Sequence, residues 1–153
     1  MARGDRRGAP LTEGQLPESD CAPALSIESL GCRPGPAPDR WLAAWRIQNV
    51  GASPLRLFEA WAPHGQFRAA AERLLPAVDL AADESTQLEL LVACREPPRA
   101  VVENAFLILR LEWRGQPWRV LTRMRVVVDT SGTPQHLCEL TTAQPVGFSA
   151  HVS

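Results

Sequence analysis

Residues 105–129, AFLILRLEWRGQPWRVLTRMRVVVD, alternate apolar and polar side chains on either side of one glycine. Before that glycine, Ala105, Leu107, Leu109, Leu111 and Trp113 interleave with Phe106, Ile108, Arg110 and Glu112. After it, Trp118, Val120, Thr122, Met124, Val126 and Val128 interleave with Arg119, Leu121, Arg123, Arg125 and Val127. Successive side chains of a strand point to opposite faces, so a period of two predicts two strands, each with one apolar face and one mixed, arginine-rich face. Glycine at the first position of a two-residue turn suits type II′ geometry, which places the turn at Gly115-Gln116. That register sets Trp113 opposite Trp118, Leu111 opposite Val120, Glu112 opposite Arg119 and Ala105 opposite Val126.

The rest of the chain reads in the same idiom. Leu25, Ile27 and Leu30 permit a short first strand, ended by the glycines and prolines of residues 31–38, which no central strand tolerates. Trp41, Ala43, Trp45 and Ile47 alternate with Leu42, Ala44, Arg46 and Gln48 as a second strand, closed by the breakers of residues 49–54. Residues 55–61 begin as a strand. Residues 66–75 fit either a helix, with Phe67, Ala70, Ala71, Leu74 and Leu75 on one stripe, or a strand. Val78 and Leu80 suggest a brief strand, residues 87–94 a clearer one, and residues 136–142 a last short one after the turn at residues 131–134. Seven or eight strands with frequent turn signals predict an all-β, two-sheet antiparallel sandwich carrying at most one short helix. Residues 1–24, rich in Gly, Pro, Arg and acidic residues, are expected to form a disordered arm ahead of one domain over residues 25–153.

The run Trp45-Arg46-Ile47-Gln48-Asn49-Val50-Gly51-Ala52-Ser53-Pro54-Leu55-Arg56-Leu57 resembles the strand–turn–strand of bacterial immunoglobulin-like modules of the Hydin and cell-adhesion-related types. In them an apolar strand ends in Asn-x-Gly and resumes at Pro-Leu-x-Leu. The turn and strand of residues 80–92 are similar to the next turn and strand of such modules. The resemblance implies an immunoglobulin-like sandwich with a non-catalytic binding or spacer role. Cys32, Trp45 and Cys94 lie at spacings close to those of antibody-type domains, where two cysteines bridge the sheets against a tryptophan. Here Cys32 sits among glycines and prolines, and the chain has no Tyr for a tyrosine corner.

Charge and composition narrow the function. The 153 residues carry a net charge of −1, and all 16 basic residues are arginine. Such a balance lacks the long-range attraction that draws basic proteins to nucleic acid or anionic membranes, so neither is an expected partner. The first thirty residues hold no apolar run typical of a secretory signal, and no stretch approaches the roughly 20 apolar residues of a membrane span, which sets the expectation of a cytoplasmic protein. There Cys21, Cys32, Cys94 and Cys138 are expected as reduced thiols.

Two candidate sites remain. His136 and Cys138, with Glu139 beside them, share one strand face at i and i+2, the spacing at which an imidazole and a thiolate converge on a metal. No C-x-x-C or H-x-x-x-H accompanies them, and His64 and His151 lie in unrelated segments, so the plain reading is a half-exposed strand end with a buried thiol. An enzyme or metal-dependent accessory subunit centred on this pair is the rival to a binding module, for which no cofactor is expected. Nucleophilic catalysis has no local signature, and no Gly-rich loop opens a helix to cradle phosphates.

The second candidate is the outer face of the hairpin. Arg110, Arg119, Arg123 and Arg125 share it with Phe106, Ile108 and Leu121. It is a solvated sheet face, with Glu112 answering Arg119, or a surface that grips an anionic group or another protein, since Arg binds carboxylates through two parallel bonds and stacks on aromatic rings; nucleic acid is the remaining reading, which the overall charge disfavours. Trp61, followed by Ala62-Pro63-His64-Gly65, is expected in an exposed loop and joins this interface set, while Trp41 and Trp45 are expected in the core. The sequence thus predicts a non-catalytic interaction or structural module that binds another protein through Phe106, Ile108, Arg110, Arg119, Arg123, Arg125 and Trp61.

Overall fold

A computed structural model describes residues 21–146, and the expected arm of residues 1–24 lies outside them apart from its last four residues. Eight strands and no helix occur among the described residues. They are β1 (Leu25–Pro34), β2 (Arg40–Asn49), β3 (Leu55–Ala62), β4 (Ala69–Leu80), β5 (Ser85–Ala93), β6 (Val101–Trp113), β7 (Gln116–Val128) and β8 (Pro134–Pro145). β1, β2 and β5 form a three-stranded antiparallel sheet in the order β1-β2-β5, and the other strands form a five-stranded one in the order β4-β3-β6-β7-β8. The predicted two-sheet sandwich is present. No helix of the described residues is long and apolar enough to cross a membrane.

The core lies between the inward faces that alternation marks. Trp45 and Ile47 of β2, Leu88 and Leu90 of β5, and Leu107, Leu109, Leu111, Val120, Met124 and Val126 of the long hairpin are all buried. At ~25 cal/mol per Å² of apolar surface removed from water, this layer is the main stabilising term. Residues 49–51 show why the Asn-x-Gly turn works: the buried Asn49 amide donates to Ser53 O at 2.9 Å and Leu80 O at 3.0 Å, while its Oδ1 accepts from Gly51 N at 3.0 Å. A buried side chain whose polar atoms are all paired specifies the turn with its desolvation offset.

Several expectations need correction. The hairpin turns at Arg114-Gly115, with φ of 52° and 74°, so Trp113 faces Gln116, Leu111 faces Trp118 and Arg110 faces Arg119. Two positive φ values define a type I′ turn, whose twist matches the flanking strands as well as type II′ does. Arg114 tolerates the left-handed backbone while its guanidinium lies 4.4 Å over the Trp113 ring and its Nε donates to Ser53 Oγ at 3.1 Å. Because the register moves by two residues, every side chain keeps its predicted face, and Trp113 and Trp118 still meet edge to face at 5.7 Å. A bulge between Val102 and Ala105 then places Ala105 opposite Met124 and Val102 opposite Val126.

β1 runs on through Gly31 and Cys32 to Pro34, which a sheet edge allows because a proline there leaves no inner ladder bond unmade. Residues 66–75 contain no helix. They enter β4, which pairs with β3 at both ends and leaves the ladder between Arg73 and Val78.

The two sheets approach along both sides of the sandwich. On one side Arg68 and Ala93 exchange backbone bonds of 3.0 and 2.7 Å, joining the start of β4 to β5. On the other, β8 lies against β1, and that seam holds His136 and Cys138.

Candidate functional site

His136 and Cys138 share one face, as their i, i+2 spacing requires, and that face is the inner one; His136 is completely buried and not half-exposed. Its strand ends near β1, and the ring is capped by Trp45 at 4.6 Å and Phe67 at 5.7 Å between centroids. Its Nε2 donates to Gly31 O at 3.2 Å. A carbonyl can only accept, so Nε2 carries a proton, and Nδ1, buried with no hydrogen-bond partner among the described residues, has nothing to accept a second one. Cys138 Sγ lies 3.3 Å from Ser29 Oγ across the same seam. Among the described residues no group of three or more His, Cys, Asp and Glu stands where it could hold a metal.

The electrostatics of the seam disfavour charge. Burial holds the His136 imidazole below its ordinary range, partly offset by the bond to Gly31 O. Burial also pushes the Cys32 thiol up to about 12, with Cys94 nearby adding to the rise. It raises the Cys94 thiol, against a backbone bond at Glu96, and the Cys138 thiol, against the bond from Ser29. Nucleophilic attack needs a thiolate, the form these surroundings oppose. All four cysteines among the described residues are unbridged.

Stability should depend on pH through this ring. The unfolded chain protonates His136 near its ordinary 6.5, whereas the folded chain resists the proton. The stabilisation from keeping this ring neutral is therefore full above about pH 6.5 and is lost as the pH falls towards the lower folded value, with a slope of up to ~1.4 kcal/mol per pH unit. Urea unfolding between pH 7.5 and 5 should show the decline, and His136→Leu should flatten it. An unchanged slope in that variant would remove His136 as its cause.

The outer face of the five-stranded sheet is built differently. Trp61 is not in a loop: it is a half-buried residue of β3, directly opposite Ile108 of β6, which faces Leu121 of β7, which faces Thr142 of β8. The proline and glycine after Trp61 mark the end of its strand and not its own conformation. Trp61, Ile108 and Leu121 form a half-exposed apolar row across the sheet. On one side runs a row of Phe106, Arg123 and Leu140, the last 53 % exposed.

On the other side the register aligns Arg73, Glu59, Arg110, Arg119 and Gln144 from β4 to β8. Arg110 Nη1 donates to Glu59 Oε1 at 3.3 Å. Arg123 Nε lies 3.4 Å from Glu139 and Arg125 Nε 3.5 Å from Glu103, ion pairs without hydrogen-bond geometry. Glu112 does not answer Arg119; it faces Pro117 on one side and Arg56 on the other. Phe106, Ile108, Arg110, Arg119, Arg123, Arg125 and Trp61 are thus brought together on one surface, and His136 and Cys138 lie on the opposite side of the same sheet. Arg73 and Glu59 belong to this surface and were not anticipated, since their alignment depends on the interrupted pairing of β4. No known protein family matches this chain, and no curated protein matches it either.

Proposed function

We propose that this chain is a non-catalytic, immunoglobulin-like interaction module that binds another protein through the outer face of its five-stranded sheet. The observation that carries the reading is the apolar row Trp61, Ile108 and Leu121, flanked on both sides by rows containing arginine. Outward positions of an antiparallel sheet are ordinarily polar, and a contiguous apolar strip rimmed by charge is characteristic of a surface that another molecule covers. Tryptophan and arginine are also the residues that dominate binding energy where proteins meet.

The immunoglobulin-like assignment draws on strand order. Lettered in immunoglobulin fashion, β1, β2 and β5 take the places of A, B and E, and β4, β3, β6 and β7 those of C′, C, F and G, with β8 added beside G. The resemblance of residues 45–57 to the bacterial modules agrees with it. Unbridged thiols suit a reducing compartment, and the cytoplasm is the one we assign.

The test is a double charge reversal, Arg123→Glu with Arg125→Glu. Both side chains are about half exposed, so the change should cost no more than ~1 kcal/mol of stability despite the neighbouring Glu139 and Glu103. Like charges set across an interface cost several kcal/mol, so recovery of bound proteins from the native cell should fall about tenfold or more. Recovery at the wild-type level would make the arginines a solvated face.

A further inference from the structure

The arginine row contains more positive charge than the protein answers. From β4 to β8 it reads Arg73, Glu59, Arg110, Arg119, Gln144, three guanidinium groups around a single carboxylate. Arg110 already bonds Glu59. Arg119 stands directly opposite Arg110, and its Nε is buried without a hydrogen-bond partner among the described residues. Like charges directly opposite each other on paired strands are destabilising, and a buried donor left unpaired adds to the cost.

Elsewhere on this face Arg56 pairs with Asp79 at 2.6 Å, Arg123 with Glu139 and Arg125 with Glu103, although Arg123 Nε, like that of Arg119, makes no hydrogen bond among the described residues. The excess is confined to one row. A hollow of about 430 Å³ opens there, walled by Trp61, Ala71 and Val146 on its apolar side and by Arg110, Arg119 and the Glu59 carboxylate that Arg110 already holds on its charged side.

Resting on the protein-binding reading above, we infer that the occupant is an acidic peptide segment of the partner. Its carboxylates lie on Arg110 and Arg119, with Arg73 at the end of the row, and its apolar side chains lie on Trp61, Ile108 and Leu121. A guanidinium matches a carboxylate through two parallel bonds, and the indole supplies apolar area beside it. A nucleic-acid backbone would need a broad positive field. Here the other arginines are neutralised in place and the chain carries a net −1.

The experiment uses two blocked synthetic peptides, Glu-Leu-Glu-Leu-Glu and its isostere Gln-Leu-Gln-Leu-Gln, with a short oligothymidine as a third probe. Binding is followed on the full chain by NMR through the Trp61 indole N–H and the Arg119 Nε–H signals. The glutamate peptide should move both signals saturably, the glutamine peptide should bind about tenfold or more weaker, and Arg119→Gln should bring the glutamate peptide down to the level of its isostere. Equal binding of the two peptides would overturn the acidic occupant while leaving a protein-binding face. Tighter binding of the oligothymidine than of the glutamate peptide would overturn both readings. Signals that stay still with every probe would overturn the acidic occupant, and the protein-binding reading would then rest on the double charge reversal.

Discussion

Leu109→Asp should abolish cooperative folding, while Ile108→Asp, one residue earlier, should leave a folded protein. Leu109 is completely buried in β6, between Ala60 of β3 and Val120 of β7, and faces the other sheet. A carboxylate there has no partner, and the penalty of several kcal/mol for a buried unpaired charge, added to the lost leucine, rivals a whole domain's margin of ~5–15 kcal/mol. Ile108 points to the outer face, and Arg110 is the next residue along that face. Its replacement should cost ~1–2 kcal/mol, the lost packing against Trp61 and Leu121. Thermal unfolding followed by circular dichroism separates the two. Equal behaviour of the variants, folded or unfolded, would contradict the assignment of faces.

Trp45→Ala should lower stability by ~3–5 kcal/mol, the range found when a large buried aromatic is truncated. Trp45 fills the centre of the smaller sheet, opposite Ser29 of β1 and Leu88 of β5, and its ring lies 4.6 Å from that of His136. Removing it leaves a cavity and uncovers the imidazole whose neutral state the seam depends on. Trp45→Phe should cost much less, because the indole Nε1 has no hydrogen-bond partner to lose among the described residues. Urea unfolding of the two variants measures the difference. A loss under ~1 kcal/mol for Trp45→Ala would mean that the sheets are not held apart by this ring.

What the sequence revealed depended on burial. β6 and β7 are central, with one face wholly inside, so their alternation marked every inward residue from Ala105 to Trp113 and from Trp118 to Val128. The turn was harder, because one glycine fits either of two turn types and the choice rests on Arg114 finding Trp113 and Ser53, contacts that no local pattern announces. β4 was ambiguous for a physical reason. It is an edge strand buried only at Ala69 and Leu80, and without an inner face there is no period to read. The shared face of Arg110, Arg119, Arg123 and Arg125 was legible from the period of two. Arg73 and Glu59 were not, because they join the row only through long-range register. The shared face of His136 and Cys138 was legible, but the complete burial of His136 was not, because it comes from the rings of Trp45 and Phe67 and from Gly31 of β1, all distant in sequence.

The outer face can be tested for contact without knowing the partner. A benzophenone amino acid placed at Leu121, in the centre of the apolar row, and separately at Gln87, exposed on the outer face of the smaller sheet opposite Arg46, converts contact into a covalent adduct on illumination in the native cell. We predict a discrete, higher-mass adduct of this chain with another protein from position 121 and none from position 87. Adducts from position 87 alone, or from neither position while the protein is folded, would contradict the assignment of the five-stranded sheet as the binding surface.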